Sequence, residues 1–76
     1  MNEQEQARYW RERLMKLSRE ELSTLTGYSA AAIYLLETAD ARINTPAWQR
    51  YKNACLAVQL MRGHGVVTRD WKWGKE

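Results

Sequence analysis

The stretch SREELSTLTGYSAAAIYLLET, Ser18 to Thr38, decides the fold. Ser18 followed by Glu21 has the spacing of a capping box, in which each side chain satisfies the other's orphan backbone N–H. It predicts a helix from Arg19 to about Thr26 with Leu22 and Leu25 as apolar anchors. Gly27 stops that helix, because glycine takes positive φ freely. Ser29 is an N-cap for the next run, Ala30 to Glu37, which is mostly good helix formers. Two short helices joined by about three residues around a glycine make a helix-turn-helix arrangement on local signals alone.

The flanks extend this pattern. Ala7, Trp10, Leu14 and Leu17 share one face of a first helix from about Glu3 to Met15. Residues 38–45 read as a loop. Thr45-Pro46 is a helix start, since proline's missing N–H costs nothing at the first helical position. That last helix runs to about Met61. Trp48, Tyr51, Cys55 and Val58 form its apolar stripe, with Ala47, Ala54 and Met61 beside them. Leu56 and Leu60 fall on the side of Gln49 and Asn53, a second apolar patch of the kind that pairs with a partner. Gly63-His64-Gly65 breaks the helix. Val66 to Trp73 then reads as a short strand that could pair with its twin, an extended arm or a flexible tail.

The expected fold is therefore all-α: a small four- to five-helix domain over residues 1–62, with the motif at 19–38 and a C-terminal arm over 63–76. At 76 residues the chain has room for one domain. One Cys excludes an internal disulfide, and one Cys with one His is too few for the usual structural zinc sites. Tight helix packing or self-association must then stabilise it. Residues 1–20 hold many charges and no signal-peptide core, and the longest apolar run, Ala30–Leu36, is seven residues. A cytoplasmic protein with no membrane partner is expected.

Charge is uneven. Residues 1–41 hold five basic and seven acidic residues, and residues 42–76 hold seven basic and two acidic. Between Asp40 and Asp70 there is no acid, while Arg42, Arg50, Lys52, Arg62 and Arg69 occur. A basic half on a small domain fits an anionic partner, nucleic acid first. No phosphate loop, zinc-protease motif, nucleophile elbow or paired-carboxylate arrangement is present, so no enzyme, cofactor, metal or small-molecule ligand is expected. Cys55, on the apolar stripe, is read as a core residue.

The segment from Arg19 to Thr38 resembles the helix-turn-helix of the phage lambda repressor and Cro family, also called Xre-type. Leu22, Ser23, Gly27, Ile33 and Leu36 fall at its packing and turn positions, with Leu17-Ser18, Glu37 and the run Ala54–Val58 in keeping. The resemblance spans roughly residues 8–60. It implies that the helix starting at Ser29 enters the major groove of double-stranded DNA while the preceding helix crosses the backbone. Ser29, Ala30, Ala31, Tyr34 and Leu35 are then the base-facing residues. Arg19, Arg42, Asn44, Thr45 and Arg50 are the phosphate contacts. A homodimer on a palindromic operator follows, with Leu56, Leu60, Val67, Trp71 and Trp73 as interface candidates. One departure stands out: Ser29 to Leu36 contains no Arg, Lys, Gln or Asn, the side chains that read bases by paired hydrogen bonds. The runner-up reading is therefore a protein-binding module of the antiactivator or antitoxin-partner type. Ala30–Leu36 also reads as a buried bundle helix, and Tyr34 equally as a core residue.

Overall fold

A computed structural model describes residues 2–38 and 45–62. The protein is all-α: α1 (Glu3–Tyr9) runs on into a π-helical turn (Trp10–Leu14), followed by α2 (Arg19–Thr26), α3 (Ala30–Thr38) and α4 (Pro46–Arg62). The proposed arm over 63–76, with Val67, Trp71 and Trp73, lies outside the described residues, as do Arg42 and Asn44.

Each helix start has a side-chain cap. Asn2 and Glu5 form a capping box on α1 that the sequence reading passed over. Ser18 and Glu21 form the expected one on α2, with Glu21 N–H donating to Ser18 Oγ at 3.0 Å and Ser18 N–H to Glu21 Oε1 at 2.9 Å. Ser29 Oγ accepts from Ala32 N–H at 3.1 Å to cap α3. Thr45 Oγ1 accepts from Trp48 N–H at 3.3 Å at the head of α4. Gly27 ends α2 at φ 86, in the left-handed region.

The core is Ala7, Trp10, Leu22, Ile33, Trp48, Tyr51, Cys55 and Val58, with Leu14, Met15, Leu17, Leu25, Tyr28 and Leu36 packed around it. Tyr28 meets Tyr51 edge-on at 5.4 Å between centroids, and Trp48 tilts against Tyr51 at 5.7 Å. Trp10 Nε1 donates to Gln59 Oε1 at 3.0 Å, tying the first helix to the last, and an ion pair joins Glu3 to Lys52. Gln4 Nε2 donates to Leu36 O at 2.8 Å, giving one of the last carbonyls of α3 a partner on α1.

Two expectations need correction. The first helix is not α-helical to Met15. It widens after Tyr9, with Met15 N–H donating to Trp10 O and Leu17 N–H to Arg11 O, both at 2.9 Å. The inward residues explain this: Gln6 and Ala7, then Trp10 and Arg11, are buried, and Leu14 and Met15 are half-buried. Such pairs recur every four residues, a repeat that drifts about 40° per turn on a regular α-helix. The wider π winding counters that drift. Second, Ala47 and Met61 do not join the stripe on α4. Both are exposed, one at each end of the helix, beyond the reach of the described neighbours. Trp48, Tyr51, Cys55 and Val58 face inward as expected.

Lys16 closes the widened turn at φ 54, the one described non-glycine residue with positive φ. A side chain there costs about 1–2 kcal/mol. Replacing it with glycine forfeits about 0.4–1 kcal/mol through the freer unfolded chain. Lys16→Gly should therefore stabilise the domain by about 0.5–1 kcal/mol, a rise in Tm of about 2–8 °C by thermal circular dichroism. An unchanged or lower Tm would mean that the left-handed turn is not strained.

Candidate nucleic-acid interface

The three residues between α2 and α3 set the position of α3, and its own sequence sets its rotation. Along α3, Ile33 and Glu37 point inward, and Ala30 and Leu36 are half-buried. Ala31, Tyr34, Leu35 and Thr38 recur at helical spacing on the opposite face and are exposed, Tyr34 to 50% and Leu35 to 58%. Ser29, just ahead of the helix, is exposed too. The apolar run is thus divided between core and surface. Tyr34 is not a core residue, and four of the five proposed base-facing residues, Ser29, Ala31, Tyr34 and Leu35, are exposed at and along one helix, while Ala30 is half-buried on its inward side.

Among the proposed phosphate contacts, Arg19 is the one placed against that face. Its Nε donates to Glu37 Oε1 at 3.1 Å, and its guanidinium carbon lies 4.9 Å from the centre of the Tyr34 ring. Its side chain is 29% exposed. Its terminal nitrogens have no hydrogen-bond partner among the described residues. Thr45 and Arg50 belong to the start of α4, which packs against α2; Thr45 is half-buried and Arg50 exposed. Of the proposed interface residues, Leu56 is half-buried, while Leu60 stands 84% exposed beside an equally bare Met61.

Below the face lies an ion-pair network that the sequence reading missed. Glu37, whose carboxylate is fully buried, accepts from Arg11 Nε at 2.6 Å and from Arg11 Nη2 at 3.0 Å, besides the bond from Arg19. Arg11, 5% exposed, also donates from Nη1 to Leu17 O at 2.9 Å and reaches Glu12 at 3.3 Å. Burial alone would lower the Arg11 pKa, but hydrogen bonding and charge from Glu37 outweigh it and hold the group above its ordinary value. A signal for this existed. Glu37 stands one turn after Ile33 on the same stripe, and a carboxylate on an inward stripe requires a buried cation.

Burial pushes the Cys55 thiol up to about 12, so it is protonated at neutral pH. Among the described residues, no three of His, Cys, Asp and Glu are placed to hold a metal. No helix among the described residues is long and apolar enough to cross a membrane. A shallow cleft beside Glu37 is walled by Glu5, Arg8, Tyr9, Glu12 and Arg13, and Arg8 there pairs with Glu12 at 2.9 Å. No protein-family model, curated protein or solved structure matches the chain.

Removing one partner of a buried pair is costly, because the other charge is stranded. Glu37→Ala should destabilise the domain by about 3–5 kcal/mol in urea unfolding, enough to unfold a marginal domain. The double change Arg11→Met with Glu37→Leu should recover most of that loss. If the double variant is as unstable as the single one, the stranded Arg11 charge is not the cause.

Two exposed carboxylates also make stability depend on pH. The Arg8 hydrogen bond holds Glu12 below its usual 4.5, and hydrogen bonds at the Ser18 cap hold Glu21 below it as well. Below the usual value the unfolded chain takes up protons that the folded state resists, so stability falls as pH drops from about 4.5. Glu21→Gln keeps the capping box and should flatten the acid limb of a Tm-against-pH profile. An unaltered limb would remove the cap as a cause.

Proposed function

We propose that this protein is a DNA-binding transcriptional regulator of the Xre-type helix-turn-helix class. In this reading it is a cytoplasmic homodimer, a repressor of phage or mobile-element style that sits on a palindromic operator. One observation carries the reading: α3 turns Ser29, Ala31, Tyr34 and Leu35 away from the core, with the half-exposed Arg19 cation beside them. A helix with small residues at its start and a cation at its edge suits a major groove flanked by phosphates.

The face dictates how bases would be read. Ala31 offers methyl contact to thymine, with the half-buried Ala30 beside it, Ser29 and Tyr34 offer hydroxyls, and the remaining selectivity falls to DNA shape. Arg19, Arg50 and the start of α4 at Thr45 would take phosphates, joined by Arg42 and Asn44. Leu56, Leu60 and the segment holding Val67, Trp71 and Trp73 are the candidates for dimer contact. Two copies would then present their α3 helices about one helical turn apart, about 34 Å.

A second reading has its own support. The exposed face of α3 carries no charge, and Tyr34 and Leu35 are large apolar groups for an open surface. Such a face also suits a protein partner, and salt separates the two cases. Affinity for DNA falls by about 0.9 in log K per phosphate contact per decade of salt, whereas an apolar interface hardly responds.

The test is fluorescence anisotropy against duplexes tiled from upstream of the protein's own gene, at two salt concentrations, with a scrambled duplex as control. Saturable, salt-sensitive binding to a tile with a two-fold repeat is expected. Ala31 is exposed, so Ala31→Glu should abolish that binding and leave the circular dichroism melt unchanged. Equal, weak binding to every tile would overturn the reading in favour of a protein partner.

A further inference from the structure

Three guanidinium groups and two carboxylates make up the network below α3: Arg8, Arg11 and Arg19 against Glu12 and Glu37. One positive charge is therefore uncompensated. It resides on Arg19. Arg11 is closed on every side by Glu37, Glu12 and Leu17 O, whereas Arg19 spends one nitrogen on Glu37 and stays part-exposed. A guanidinium held by its Nε edge still presents its terminal nitrogens as a fork, the shape that pairs with two oxygens of a phosphate.

Tyr34 supplies the second constraint. The Arg19 guanidinium carbon lies over its ring, 4.9 Å from the centroid, and Tyr34 is itself half-exposed on α3. The Arg19 guanidinium is thus held at two points, by the Glu37 carboxylate and by the face of the Tyr34 ring. An unrestrained arginine loses much rotamer freedom when it binds, and a stacked one has already lost it.

We infer that Tyr34 is a positioning residue for Arg19, so that the phosphate contact from α2 and the base-edge contact from α3 are made by one stacked unit rather than independently. This rests on the DNA-binding reading above and deepens it. It assigns Tyr34 a role in affinity for any duplex, in addition to whatever base it meets. It also makes Arg19 unlike a freely moving surface cation, for which lysine would serve equally well.

The experiment is a double-mutant cycle on duplex binding, read by anisotropy across a salt series, with a thermal melt of each variant as a folding control. Arg19→Ala should lower the salt slope by about one phosphate contact. Arg19→Lys keeps the charge, so its slope should match the parent protein while its affinity falls about five- to tenfold for want of stack and fork. Arg19→Ala should weaken binding about two- to fivefold less in a Tyr34→Ala background than in the parent. In a Tyr34→Phe background, which keeps the ring, it should weaken binding as much as in the parent. Where Arg19→Ala fails to fold, the same cycle is run with Arg19→Lys. Additive losses, or an Arg19→Lys variant equal to the parent, would overturn the inference while leaving the DNA-binding reading intact. Absence of salt-sensitive binding by the parent protein would overturn both.

Discussion

The structure depends on the Glu37 carboxylate and the two arginines that share it. Arg11 comes from the π-helical turn, Arg19 from α2 and Glu37 from α3, so one buried group ties three helices. Taking these charges out of water is expensive, and their mutual attraction roughly offsets that cost rather than adding a large surplus. The gain is geometric: an arrangement that separates any one partner leaves a stranded charge. Local features around it follow the same need. Arg11 Nη1 also holds Leu17 O, which draws the chain back after the widened turn and leaves Lys16 in a conformation that lysine does not favour.

Where structure was set locally, the sequence was readable. The start of α2 at Ser18-Glu21, its end at Gly27, the Ser29 cap and the Thr45-Pro46 start each involve a side chain bonding to backbone within three residues, or a residue whose own backbone preference suffices. The stripe Trp48, Tyr51, Cys55 and Val58 was readable for a related reason, since a long helix lying on the body repeats its apolar spacing. Met61 and Ala47 fit that spacing equally well and are exposed, because spacing does not say how far neighbouring helices reach. The π-helical turn left no local mark. It answers a four-residue repeat of inward positions that includes Gln6 and Arg11, and polar residues are not counted when an apolar stripe is sought.

The candidate site was readable as a segment and unreadable as a surface. Glycine and caps locate α3, but a run of Ala, Ile, Tyr and Leu has no polar side from which to read its rotation. Arg19 was legible as a cation at the head of α2. Its contact with Tyr34 was not, because that contact spans fifteen residues and depends on how α2 and α3 cross.

The rotation of α3 follows from comparing magnitudes. A helix turned to bury Tyr34 and Leu35 would expose Ile33 in exchange, and each large apolar side chain is worth about 1.5–3 kcal/mol when fully buried. Tyr34 and Leu35 are already about half covered, so together they would gain about what the fully buried Ile33 would lose, and hydrophobic burial alone leaves the two rotations close in energy. Glu37 breaks the tie. Turning it outward would strand Arg11 in the core at a cost of about 3–5 kcal/mol, more than one aliphatic side chain can repay. The observed face is therefore exposed because the carboxylate one turn beyond Ile33 must meet its arginine, even though two of the side chains it exposes are ones the core could have used. An apolar, uncharged face held outward in this way carries a standing cost in water.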